Sequence, residues 1–84
     1  MISKTTPEFW ERYNALPSDV KKLADRGYRI WLANPQHPSI RFKPFHGTLY
    51  SARIGAHYRA VGHLKDGLMT WVWIGTHEEY NKRF

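Results

Sequence analysis

Asp66-Gly67 is the feature that most narrows what this chain can fold into. A two-residue loop of this composition favours positive φ at both positions, which matches the twist of two antiparallel strands. The run His57–Leu64 before it and the apolar run ending at Gly75 after it supply those strands. A uniform register across the turn pairs Lys65 with Leu68, His63 with Thr70, Val61 with Val72 and Arg59 with Ile74. Gly62 then faces Trp71 and Ala60 faces Trp73. Small residues opposite tryptophans mark that face, shared with Tyr58, Leu64 and Met69, as the one expected to carry the bulky core. The other face takes Arg59, Val61, His63, Thr70, Val72 and Ile74. Arg59 is thereby placed on the open face, close to where Gly75–Tyr80 leaves the hairpin.

Upstream of this hairpin the pattern is helical, then extended. Thr6-Pro7-Glu8 reads as a helix start: a capping hydroxyl, a proline preset for the first turn, and a carboxylate suited to the dipole. Phe9, Tyr13 and Leu16 recur at helical spacing, with Trp10 alongside, until Leu16-Pro17 interrupts. A second helix starts at Pro17-Ser18-Asp19 and ends at Asn34-Pro35, with Val20, Leu23, Ala24, Tyr28, Trp31 and Leu32 as its core stripe. Ile40–Phe45 alternates apolar and basic residues as a half-buried strand, and Pro44 places it at an edge. Leu49–Ile54 is a further strand, followed by a turn at Gly55-Ala56. Arg53 joins Arg59 on one face only if that turn holds an odd number of residues. Residues 1–5 carry no clear pattern. The expected architecture is α+β: an N-terminal helical hairpin packed on one face of a roughly four-stranded antiparallel sheet.

Residues 1–84 are expected to form a single domain with a core built from large aromatics, since 15% of the chain is Phe, Trp or Tyr. The sequence has no cysteine, which excludes disulfides, thiolate metal sites and a thiol nucleophile. No apolar run approaches the roughly 20 residues of a membrane span, and no signal-peptide core is visible, so a cytoplasmic protein without membrane contact is expected.

Charge distribution points to the partner. The formal net charge is +6, and from Arg26 to Lys65 there is no carboxylate. That window holds Arg26, Arg29, Arg41, Lys43, Arg53, Arg59 and Lys65, with His37, His46, His57 and His63. A basic field of this kind favours a phosphate-bearing or acidic partner. Glycine-rich phosphate loops, the His-Glu-x-x-His zinc pattern and nucleophile elbows are all missing, and no metal or cofactor is expected. What remains suits a phosphodiester. Cleavage of RNA by its own 2′-hydroxyl needs a base for that hydroxyl, an acid for the leaving 5′-oxygen, and cations for the phosphate. His77 and Arg59 fit those parts, and Tyr80 can stack on a base or share a proton. Plainer roles compete with these: His77 as a surface or capping residue, Glu78-Glu79 as the start of a short helix, and Tyr80 as core with Phe84.

Several of these segments also share a resemblance. Leu49–Gly62, with its Arg53-Ile54-Gly55-x-x-Tyr58-Arg59 core, resembles the strand–turn–strand of the RelE/ParE superfamily of bacterial toxins. Lys43-Pro44-Phe45-x-Gly47 is similar to the family's Lys-Pro-Leu-x-Gly, and Gly75-x-His77-x-x-Tyr80 to a closing motif of several members. The resemblance implies the toxin of a type II toxin–antitoxin pair, bound by an antitoxin across its basic surface. RelE-like members cleave mRNA on the ribosome. On that branch Arg59 would hold the scissile phosphate, His77 would be acid or base, and Tyr80 would assist. Lys43 and Arg53 would grip the backbone, with His57 and His63 completing the RNA-binding set. ParE-like members instead act on DNA gyrase without cleavage. A plain RNA-binding module is the remaining alternative.

Overall fold

The computed structural model describes residues 2–84. Its elements are β1 (Ile2–Thr5), α1 (Pro7–Asn14), α2 (Ser18–Ala33), β2 (Lys43–His46), β3 (Leu49–Ile54), β4 (Tyr58–Lys65), β5 (Leu68–Thr76) and α3 (His77–Arg83). The sheet has five strands in the order β1-β5-β4-β3-β2. The extra strand is β1, which pairs parallel to β5 from Ile2–Leu68 to Thr5–Trp71. Its mixed polar sequence gives no alternation to read. Strand β2 is the opposite edge, as Pro44 requires. It is shorter than the sequence pattern: Ile40 and Phe42 are buried in the core, but Arg41 has φ 49° and the backbone there is not paired as a strand.

Both N-terminal helices start where their sequences say they should. Thr6 caps α1 by accepting from the Phe9 N–H at 3.3 Å, with Pro7 in the first turn. Helix α2 buries Val20, Ala24 and Trp31 in a single narrow row. Leu23, Tyr28 and Leu32 were expected in that stripe and are 45%, 41% and 49% exposed instead. The sheet face beneath supplies Ala52 and Ala60 among larger residues such as Ile54, Trp71 and Ile74. Trp31 is the centre of that core, edge-on to Trp71 at 5.3 Å and to Phe42 at 5.6 Å.

The hairpin turn has φ 51° at Asp66 and 79° at Gly67, as a primed turn demands. From there the register runs as expected through Lys65–Leu68, Leu64–Met69, His63–Thr70 and Gly62–Trp71. It then slips by one residue. Val61 pairs with Trp73, Ala60 with Ile74 and Arg59 with Gly75, so Val72 is the extra residue of a β-bulge. Three expected pairs, Val61–Val72, Ala60–Trp73 and Arg59–Ile74, are thereby corrected. A one-residue slip exchanges faces for everything beyond it. Ile74 turns into the helix-side core, and Trp73 turns onto the open face.

That face is not bare. Helix α3 lies against it, and Trp73, 1% exposed, packs with Phe84 at 5.4 Å and Tyr80 at 6.4 Å. Phe45 completes the group at 5.4 Å from Tyr80 and 5.8 Å from Phe84. The protein therefore has a main core under α1 and α2 and a smaller aromatic one under α3.

Candidate functional site

The open face of the sheet is set by the alternation of β3 and β4. Ile54 pairs with Tyr58 across the three residues Gly55, Ala56 and His57, so the turn is odd and Arg53 faces Arg59 directly. Two guanidinium groups at facing positions repel one another, a pairing that costs stability unless something else compensates. Neither has a carboxylate partner. Among the described residues, the ion pairs are Arg12–Glu79 and Arg83–Glu8. Arg53 folds over its own turn, its Nε donating to the Gly55 carbonyl at 2.9 Å.

Arg59 is held by three neighbours. Its Nε approaches His77 Nδ1 at 3.5 Å, its Nη1 approaches the Ser51 hydroxyl at 3.5 Å, and its guanidinium lies 5.1 Å over the Tyr80 ring. These are loose contacts, and a guanidinium has five N–H donors. Most of its hydrogen-bonding capacity is therefore free for a planar oxyanion. Donation from Arg59 Nε requires the lone pair on His77 Nδ1, which places the imidazole proton on Nε2 in this arrangement.

His77 reaches this position because α3 begins at it. The His77 N–H donates to the His57 carbonyl at 2.8 Å, which ties the helix start to the β3–β4 turn. Thr76 and Glu79 close a capping box: the Glu79 N–H donates to Thr76 Oγ1 at 3.1 Å, and Thr76 N–H donates to Glu79 Oε1 at 2.9 Å. Glu79 is thus engaged in holding the helix, while Glu78 is exposed. The Thr76 N–H is the largest influence on the Glu79 carboxyl and lowers its pKa. Slight burial opposes this, and the Thr76 hydroxyl and Arg12 reinforce it. A carboxylate with a depressed folded-state pKa stabilises the fold above its ordinary range and loses that contribution as pH falls through the depressed value. Undocking of α3, followed by Trp fluorescence, is therefore expected below the usual carboxylate range. In Glu79→Gln that acid-dependent step should disappear.

The structure brings Arg59, His77, Tyr80 and Arg53 to one end of the sheet. Lys43 pairs with Ser51 on the adjoining strand and is exposed on the same face. His63 shares the face but lies four residues along β4 from Arg59, roughly 13 Å away at strand rise. It bonds Thr48 Oγ1 through Nδ1 at 2.7 Å and is not part of the cluster. His57 is exposed in the turn, and its backbone carbonyl supplies its link to the site. Two neighbours of the site carry little signal in the sequence. Ser51 is fully buried, and only its place between Leu49 and Arg53 in the strand alternation hints at a hydroxyl on this face. Arg12 enters from α1 with nothing in its local sequence to announce it. Among the described residues, no group of three or more His, Asp or Glu side chains is arranged to hold a metal ion. No helix there is long and apolar enough to cross a membrane.

The fold has counterparts among known proteins. The fold matches YafQ of E. coli BL21(DE3) with a TM-score of 0.75 at 12% identity, covering 93% of this chain and 94% of that one. It matches a RelB-RelE antitoxin–toxin complex from Methanococcus jannaschii with a TM-score of 0.75 at 11% identity, covering 95% and 96%. An archaeal RelE-RelB complex from Pyrococcus horikoshii OT3 aligns with a TM-score of 0.70 at 20% identity, over 89% and 92%. At such identities these likenesses establish the fold alone. No curated protein matches the sequence. A family model described as the ParE-like toxin domain matches residues 19–82. That match takes in the sheet strands β2 to β5 and nearly all of α2 and α3, and by it the chain belongs to the ParE-like toxin domain family.

Proposed function

We propose that this protein is the toxin of a type II toxin–antitoxin pair and acts as a ribosome-dependent mRNA endoribonuclease in the cytoplasm. The observation that carries the reading is the facing pair Arg53–Arg59, without a carboxylate, beside His77. Unpaired like charges on a sheet face fit an anionic ligand that supplies the missing compensation. The scissile phosphate would take the free donors of Arg59, with Arg53 and Lys43 on the flanking backbone. In doing so it would draw the guanidinium away from His77 Nδ1. The released imidazole can then exchange a proton with the 2′- or the 5′-oxygen. Tyr80 fixes Arg59 from below through its ring face. Ser51 limits its swing from the side.

An antitoxin partner is supported by the hairpin side of the molecule. Trp10 and Tyr28 are exposed at a cleft of about 290 Å³ between the helices and the sheet, and Leu23 and Leu32 are exposed on the same helix as Tyr28. Exposed aromatic groups beside an apolar cleft favour a protein partner. The likeness to RelE as found in RelB-RelE antitoxin–toxin complexes supports the same view.

The test is to add wild type and His77→Ala to a translating extract and map the 5′ ends of the message. Wild type should create new ends. His77→Ala should create them about 10²-fold more slowly, the usual contribution of a positioned acid or base. Intact message with wild type removes the nuclease reading. Inhibited supercoiling by DNA gyrase in a parallel assay would replace it with the gyrase-directed one.

A further inference from the structure

Arg12 makes contacts that the phosphate chemistry does not require. It belongs to α1 on the hairpin side of the sheet, yet its side chain reaches residues of the opposite face. It crosses at the edge of β5 beyond the last β1 pair, Thr5–Trp71. There its Nε donates to the Ile74 carbonyl at 2.7 Å, satisfying an edge acceptor. Its guanidinium lies 4.8 Å over the Trp73 ring, and its Nη2 is 3.0 Å from the Glu79 carboxylate. Gly75 is the opening it uses. A Cβ at that position would stand 2.8 Å from Arg12 Nη2 and 2.7 Å from the Trp73 ring.

The chain of contacts continues into the site. Glu79 takes Arg12 on one carboxylate oxygen and the Thr76 N–H and hydroxyl on the other, at 2.9 and 3.0 Å. Thr76 immediately precedes His77. A helix as short as α3 has no stability of its own and adopts whatever orientation its anchors impose. We infer that Arg12 and Glu79 are positioning residues, which set the orientation of α3 and so hold His77 and Tyr80 against Arg59. The effect on rate rests on the nuclease reading above, whereas the effect on geometry stands without it.

A second pair, Arg83–Glu8, also joins α1 to α3 at 3.0 Å, but Arg83 is more exposed than Arg12 and its one other contact is the ring of its own neighbour Phe84, at 5.7 Å. Exposed pairs of that sort contribute little. Arg12, already tied to the Ile74 carbonyl and the Trp73 ring, loses little additional freedom in binding Glu79 and is the effective clamp.

Kinetics on ribosomes programmed with message, and NMR of the His77 and Tyr80 ring signals, test this together. Arg12→Ala should lower kcat about tenfold with KM within about twofold, since a displacement near 1 Å can cost up to ~10²-fold. The His77 and Tyr80 signals should shift while the Trp31 indole signal stays in place. Arg12→Lys should recover part of kcat, and Glu8→Gln should match wild type in both measurements. Unchanged ring signals in Arg12→Ala overturn the inference, as do shifts of equal size at Trp31, which would signify general loosening. If wild type itself leaves message intact, the nuclease reading falls, and the ring signals still decide whether Arg12 positions α3.

Discussion

Arg59→Ala is expected to reduce message cleavage by about 10²–10³-fold, the range seen when a single preorganised donor to a developing oxyanion is removed. The expectation follows from how little of Arg59 is used within the protein. Its contacts to His77 and Ser51 are both at 3.5 Å, and Tyr80 lies beneath it at 5.1 Å, so the guanidinium is oriented without being consumed. Stability should move the other way. Removing one of two facing arginines relieves their repulsion, and Tm should hold or rise slightly. Activity lost without stability lost distinguishes a ligand-binding arginine from a structural one. Arg59→Lys should restore only part of the rate, because an ammonium keeps the charge but not the planar fork. His63→Ala, far along β4, should change the rate by less than about threefold, within the small range of a screened surface charge.

Gly62→Ala should be the most destabilising single methyl in the hairpin, at about 3 kcal/mol, the upper end of overpacking costs. A Cβ at Gly62 would lie 2.5 Å from Met69 Cε and 2.6 Å from the Thr70 carbonyl oxygen. The methionine can move, but the Thr70 backbone belongs to the paired strand and cannot without breaking the register before the bulge. Spread over a domain this small, such a loss lowers Tm by roughly 10–20 °C in a thermal melt. Gly47→Ala is the control. Gly47 has φ 55°, and a methyl added there would meet nothing within 4 Å, so only left-handed strain applies. That costs about 1–2 kcal/mol. A Gly62→Ala protein no less stable than Gly47→Ala would show that the close strand contact at Gly62 is wrong.

The Asp66-Gly67 turn made much of the site legible. Four pairs from it determine that Arg59 lies on the open face, and β4 keeps that alternation to its start. The bulge at Val72 could not be read, because Trp-Val-Trp-Ile is apolar on both faces and fits either register. It is set by distant partners: Tyr80 and Phe84 receive Trp73 on one side, while Ala60 receives Ile74 on the other. The slip moved Arg59 opposite Gly75 instead of Ile74, one residue nearer to His77, so the expected neighbourhood survived the error in pairing. Arg53 depended on the length of a turn that only the structure counts. Strand β1 and the Arg12 crossing were invisible for a common reason. Both are made mostly by polar residues whose partners are more than 60 positions away.

Cleavage that follows translation is the central claim, and one message prepared with and without its start codon tests it most directly. In a translating extract, the wild-type protein should generate new 5′ ends within the coding region of the initiating message and none on the other. Equal cleavage of both would make it a ribosome-independent nuclease. Intact messages of both kinds, with gyrase supercoiling inhibited by the same preparation, would contradict the nuclease reading outright.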